Sequence, residues 1–177
     1  MVIKNSFSEQ KIVEECLKNN RTYQKILYDK YKDGMYTVVF RIIRNESLSC
    51  DALQEGFIQV FLNLRSFEFK STLGSWIKTI MIRNALKVLR KEIRFEELGD
   101  TEINIPFSWD ENLTGEVLDK AISKLSPGYR FVFLLIEVEG YSHKEVAEML
   151  NISVGTSKSQ LSRAKAILQN SLKGIYA

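Results

Sequence analysis

Residues 141–168, YSHKEVAEMLNISVGTSKSQLSRAKAIL, constrain the fold of this chain more than any other stretch, because they spell two helices with one tight turn between them. Ser142 followed three residues later by Glu145 is a capping box, which predicts a helix start there. Val146, Ala147 and Leu150 give that helix an apolar face at helical spacing. The turn is predicted at Asn151-Ile152-Ser153, since Asn tolerates the left-handed backbone of a sharp reversal. A second helix is predicted from Val154 or Gly155. At about 100° per residue, its Ser157, Leu161, Ala164 and Leu168 share one packing face. The opposite arc carries Lys158, Ser159, Ser162, Arg163, Lys165 and Ala166. It is cationic at its edges and small in its middle, the shape needed to enter a major groove. An ordinary helical hairpin with a solvated face is the alternative reading of the same pattern.

The rest of the chain narrows the class. Its 177 residues, 45% hydrophobic with only two prolines, suit a soluble helical protein of one domain or two small ones. Cys16 and Cys50 lie far apart with neither metal nor redox spacing, so reduced thiols in a cytoplasmic protein are expected. The N-terminal MVIKNSFSEQ lacks an apolar signal core, and no apolar run approaches membrane-spanning length, so no membrane insertion is expected. Catalysis is not expected either. The single histidine, His143, falls in the first turn of a capped helix, and no paired acid–base cluster, P-loop, metal spacing or cofactor motif occurs.

Charge divides the chain into three. Residues 1–91 carry 16 Lys and Arg against 9 Asp and Glu, residues 92–116 carry 1 against 8, and residues 117–177 carry 8 against 5. Two basic segments therefore flank an acidic one, within a net charge of +3. Residues 92–116 show no sustained period and contain Pro106, which predicts a linker; Phe107 and Trp109 are the residues in it that could dock elsewhere. The expectation is an all-α protein: two small helical domains, 1–91 and 117–177, joined by a flexible acidic linker, the C-terminal one with a helix-turn-helix. The basic domains would face nucleic acid and the acidic tether would avoid it, although an acidic solvated loop fits the same composition.

Taken in order, Ser6 or Ser8 is expected to cap a first helix running to about Asn19, with Ile12, Val13, Cys16 and Leu17 inside. Residues 23–43 continue as helix with a break or bend near Asp33-Gly34, their apolar residues forming core. On residues 47–64, Ser49 or Asp51 is expected to cap a helix whose Leu53, Gly56, Phe57, Val60, Phe61 and Leu64 pack inward. Its other face holds Asp51, Gln54, Glu55, Ile58 and Leu62. Acids ringing two exposed aliphatics suggest a partner surface, with a solvated face bearing two stray aliphatics as the alternative. Residues 67–71 read as a loop and Thr72 as a cap. On the helix beyond, Trp76, Thr79, Arg83, Lys87 and Arg90 form one stripe, while Ile77, Met81, Ile82, Ala85, Leu86 and Leu89 face inward. An aromatic leading a cationic stripe suits single-stranded nucleic acid, whose bases stack while its phosphates pair; Trp76 as a core residue is the competing reading. Further on, residues 117–125 are expected to be helical, Ser126-Pro127 to start another helix, and residues 129–139 to be buried.

Three stretches in this order carry a family resemblance. EGYSHKEVAEMLNIS followed by GTSKSQLSRAKAIL resembles the −35-reading module of bacterial sigma factors of the extracytoplasmic-function type, and DALQEGFIQVF and the 67–91 segment resemble their core-docking and −10-reading regions. The likeness spans residues 23–168. It implies that Asp51, Gln54, Glu55, Ile58 and Leu62 dock on the β′ coiled coil of core RNA polymerase, with the β flap as a second contact. It implies that Phe67, Lys70, Ser71, Thr72, Trp76, Thr79, Arg83, Lys87 and Arg90 meet the −10 element, the loop capturing a flipped base. It also implies that Thr156, Lys158, Ser159, Ser162, Arg163 and Lys165 meet the −35 element. There Arg163 is expected to read a base edge and Lys165 to hold phosphate. The linker would thread toward the RNA exit channel, and an anti-sigma partner is left open. Phe69 stands where the family commonly has Gly, Arg83 where it has Asn, and Lys87 where it has Asp or Asn, so base preference at −10 does not transfer residue by residue. A helix-turn-helix regulator that binds DNA without polymerase, or a structural adaptor, would explain part of the pattern but leave the acidic-aliphatic face or the cationic stripe without a role.

Overall fold

The computed structural model describes residues 8–90 and 115–173, which fall into two compact units divided between Leu89 and Arg90. Every regular element among the described residues is helical.

In the first unit, α1 (Glu9–Leu17) starts at Ser8, whose side chain accepts the Lys11 amide, and turns its Ile12, Val13 and Cys16 inward. α2 (Arg21–Ile43) runs without a break through Gly34, where residues 23–43 had been expected to bend. The flanking turns are apolar on one side, Leu27 and Met35 being buried, so packing on that stripe outweighs the modest helix penalty of one glycine. α3 (Glu46–Asn63) is capped by Asn45, which accepts the Leu48 amide, and not by Ser49 or Asp51. Ser49 lies inside the first turn, buried, with its hydroxyl donating to the Asn45 carbonyl at 2.6 Å. A short 3₁₀ turn (Leu64–Ser66) and a loop lead into α4 (Leu73–Arg90), whose Ile77, Met81, Ile82, Ala85, Leu86 and Leu89 are all buried.

α3 lies close against α4 because Gly56 presents no side chain to Met81. Asn84 fixes the alignment. It is buried, and its amide donates to the Ala52 carbonyl at 2.6 Å, a polar latch that keeps a helical carbonyl satisfied in the core. Tyr28 of α2 meets Phe57 of α3 at 4.7 Å between ring centres.

The second unit begins with α5 (Gly115–Ser123), so its first turn takes in Gly115 and Glu116 from the expected linker. α6 (Pro127–Phe133) carries Pro127 in its first turn, as residue type at that position favours. Buried Arg130 reaches back toward the Ser123 and Leu125 carbonyls at 3.4 Å each. α6 widens into a π turn (Leu134–Val138), buried at Leu134 and Leu135, and Gly140 then reverses the chain at φ 79°. α7 (His143–Leu150) and α8 (Val154–Lys173) complete the unit, with α6 and α7 both packed on α8. Residues 91–114, with Phe107 and Trp109, lie outside the described residues, as does Ser6.

Candidate nucleic-acid interface

On α3, one turn of inward residues sets the outward ones. Ala52, Leu53, Gly56, Phe57 and Val60 are buried, which leaves Asp51, Gln54 and Glu55 exposed on the other side. Ile58 is 51% and Leu62 71% exposed, beside those acids. The expected surface therefore exists as a continuous face with two aliphatic side chains that the fold itself does not cover.

The aromatic loop is a stack. Phe67 is 7% exposed and forms the floor, with Phe69 at 4.7 Å and Trp76 at 5.4 Å between ring centres. Phe67 was expected to touch DNA; instead it is spent on supporting the two rings that can. Phe69 is half exposed, and its backbone is left-handed at φ 57°, the conformation for which the family's glycine at this position is suited. Trp76 is half-buried against Phe67, so the competing readings of it, core and exposed platform, each describe one side of the ring.

Lys70 is exposed and paired with Glu68, and Ser71 and Thr72 are exposed. Thr72 caps α4 by accepting the Ser75 amide at 3.2 Å. Thr79 donates its hydroxyl to the Ser75 carbonyl, while Arg83 and Lys87 are exposed. An open groove of about 450 Å³ runs between α3 and α4, lined among others by Trp76, Arg83 and Lys87 from α4 and by Glu55, Gln59 and Asn63 from α3. Gln59 and Asn63 belong to this surface and were missed, as polar residues one and two turns from Glu55 carry no distinct signal. The side chain of Arg90 lies outside the described residues.

In the second unit the capping box is complete. The Ser142 hydroxyl accepts the Glu145 amide, and the Glu145 carboxylate accepts the Ser142 amide at 2.8 Å, which holds that carboxyl below its ordinary range. Asn151 closes α7 in the left-handed region at φ 56°. Ser153 then accepts the Thr156 amide at 2.9 Å, starting α8.

α8 corrects one expectation. Ser159 is fully buried, with its hydroxyl donating to the Thr156 carbonyl, and so cannot sit against bases. α6 and α7 grip α8 from two sides, and the covered arc (Ser157, Ser159, Gln160, Leu161, Ala164, Leu168) is wider than a single stripe. Lys158 remains exposed and Thr156, Ser162 and Arg163 partly so. Lys165 is engaged by Glu137 of the π turn at 2.8 Å, both side chains about a quarter exposed, so a phosphate would have to compete with that carboxylate. His143 faces the buried Ser157 hydroxyl at 3.0 Å, tying the start of α7 to α8. Burial first, then Lys158, holds its imidazole below the ordinary value, and Glu137 opposes them.

A helix-turn-helix in one unit, and an aromatic-cationic stripe beside an acid-ringed aliphatic face in the other, define a helical protein built to meet nucleic acid and a protein partner. Comparison with known proteins agrees segment by segment. The family description Sigma-70 region 2 matches residues 27–95, and Sigma-70, region 4 matches residues 115–168. The ECF RNA polymerase sigma factor SigW of Bacillus subtilis is 24% identical over 187 residues, covering 94% of this chain and 97% of its own. SigE of Mycolicibacterium smegmatis, also an ECF RNA polymerase sigma factor, is 26% identical over 155 residues, covering 82% of this chain, which spans 60% of that longer relative. Among solved structures, the sigma factor RpoE of Bartonella quintana, in complex with the anti-sigma factor NepR, shares the fold with a TM-score of 0.56 at 23% identity, over 84% of this chain and 96% of that one. The chain belongs to the sigma-70 family, as a sigma factor of the extracytoplasmic-function type. It is a transcription initiation factor that directs RNA polymerase to promoters.

Proposed function

We propose that the first unit divides this work between two faces. Asp51, Gln54, Glu55, Ile58 and Leu62 of α3 dock on the β′ coiled coil of core polymerase, and Phe69, Trp76, Thr79, Arg83 and Lys87 hold the melted −10 strand, with Lys70, Ser71, Thr72 and Arg90 at its edges. The observation that carries this assignment is the exposure of Ile58 and Leu62 inside a ring of acids, on a helix whose opposite side is fully packed. Water gives such a face no reason to keep two aliphatics, and a protein partner does. Beside it, half-exposed rings and free-standing cations offer stacking and phosphate pairing without sequence-rigid contacts.

In the second unit, Thr156, Lys158, Ser162 and Arg163 enter the −35 major groove. Arg163 is long enough to reach a guanine edge, and Lys158, at the exposed start of α8, meets phosphate. The protein acts by binding alone, in the cytoplasm, with no covalent chemistry of its own. The relative from Bartonella is held by an anti-sigma factor, and a partner of that kind fits the same exposed face of α3. Reconstitution with core RNA polymerase tests the reading. A transcript starting at a defined promoter only when this chain is added supports it; DNA binding that is indifferent to core enzyme would instead make the chain a helix-turn-helix regulator.

A further inference from the structure

Glu9 stands in the first turn of α1, 64 positions before its principal partner and outside the residues matched to region 2. Its carboxylate joins two helix starts. One oxygen, Oε2, accepts the amide of Leu73, the first residue of α4, at 3.1 Å. The other, Oε1, accepts the Tyr31 hydroxyl at 2.8 Å, with the Lys30 ammonium at 3.7 Å. The Tyr31 ring in turn closes on Gly74: a Cβ there would stand 3.2 Å from its Cε1 atom.

The first amides of a helix have no partner within it. At α4, Thr72 satisfies Ser75 from within the loop, and Glu9 satisfies Leu73 from a separate helix. The charge also suits the place, because the amide ends of both α1 and α4 favour an anion. Donation from Leu73 is the largest reason the Glu9 carboxyl sits below its ordinary range. Trp76 lies three residues beyond Leu73, and Phe69 four before it, so this junction is the nearest long-range anchor of the aromatic stack.

We propose that Glu9 is a positioning residue for promoter opening: through the Leu73 amide and Tyr31 it holds the start of α4, and with it Trp76 and the 67–72 loop, in the place where the −10 strand is received. The proposal rests on the assignment of this end of α4 to −10 DNA. Glu9 touches no base. It sets the direction in which the ring that does is presented.

The experiment compares the full-length protein with Glu9→Ala, Glu9→Gln and Trp76→Ala variants in reconstituted holoenzyme on one promoter, scoring core binding, closed-complex binding and permanganate-detected melting. Acrylamide quenching of Trp76, in a Trp109→Phe background, reports the ring's position independently of promoter activity. Loss of a helix-end partner lowers melting by roughly fivefold in Glu9→Ala. Core and closed-complex binding stay unchanged, and Trp76 becomes more accessible to quencher. Glu9→Gln keeps an acceptor for the Leu73 amide and recovers most of both effects. Unchanged quenching and melting in Glu9→Ala, measured well below its unfolding temperature, would reduce Glu9 to structural support and overturn the proposal. Should Glu9→Ala not fold, Tyr31→Phe takes its place, with raised Trp76 quenching expected and wild-type quenching overturning it. If Trp76→Ala melts the promoter normally, the −10 assignment itself fails and the proposal falls with it; if Trp76→Ala is defective and Glu9→Ala is not, only the positioning role fails.

Discussion

Removing the two aliphatics from the outer face of α3 is the most direct test of how the protein joins polymerase. Leu62 is 71% and Ile58 51% exposed in the free chain, so most of each side chain is still available to be buried by a partner. Burying a whole Leu or Ile is worth about 1.5–3 kcal/mol. Scaled by those exposures, and allowing for the β-carbon that alanine keeps, the Ile58→Ala/Leu62→Ala double variant should lose about 2 kcal/mol of binding, roughly thirtyfold in Kd. Its stability should move by no more than about 0.5 kcal/mol, as for other surface substitutions, since neither side chain contributes to the core. Competition between labelled wild type and unlabelled variant for core RNA polymerase measures the first quantity, and urea denaturation the second. Charge reversal with Asp51→Lys and Glu55→Lys should slow association and alter its salt dependence, because rim charges act mainly on encounter. A double alanine variant that competes within about threefold of wild type would show that these two side chains stay wet in the complex, and the reasoning from exposure would fail.

Three further outcomes follow from the same geometry. Asn84→Ala strips the Ala52 carbonyl of its buried donor and should cost about 1–3 kcal/mol in denaturant titration, with α3 and α4 loosened together. On α8, Arg163→Ala should flatten preference among single-base −35 variants, whereas Lys165→Ala should lower the thermal stability of the second unit by breaking its pair with Glu137, an effect Glu137→Gln should reproduce; equal weakening of every −35 variant by Arg163→Ala would make Arg163 a phosphate contact. His143 has its imidazole held down in the fold, so the unfolded chain binds the proton more readily; stability should be complete above the ordinary value of about 6.5 and fall as the pH drops through it, levelling off below the folded value. Urea midpoints between pH 7.5 and 5.5 should then slope less in His143→Gln than in wild type.

What could be read in advance was local. Ser142 with Glu145, Pro127, and Asn151 each act through neighbours within a few residues, and each does in the structure what its side-chain chemistry dictates. The inward faces of α3 and α4 followed from period alone. Where two side chains offered the same chemistry, period could not choose: Asn45, Ser49 and Asp51 can all cap, and the one that does is the one lying a residue before the chain turns helical. Gly34 signalled a break that packing on either side overrides. Ser159 was misplaced because its exposure depends on how many helices lean on α8, which is not written in α8. Asn84 did leave a trace, a polar residue in phase with Met81 and Ala85. Glu9 left none: its meaning is a bond to an amide 64 positions away, and nothing in the sequence around Glu9 distinguishes it from any other acid in a first helical turn.

The π turn at residues 134–138 makes the attitude of the helix-turn-helix a matter of chain length. Here the Glu139 amide reaches back five residues to the Leu134 carbonyl at 3.0 Å, and the Tyr141 amide reaches Leu135 at 2.9 Å. A π turn fits one residue more into the span than an α turn would. Shortening the chain there by one position would let the helix tighten to its ordinary pitch and rotate all that follows by about 100°. Glu137 would swing off Lys165, and the reversal at Gly140 would leave the unit in another direction. Substitutions within the turn are therefore open to the chain as long as they stay apolar where buried, whereas a single-codon deletion is not. Homologues lacking one residue at this point should carry a differently oriented acid or a compensating insertion before α7.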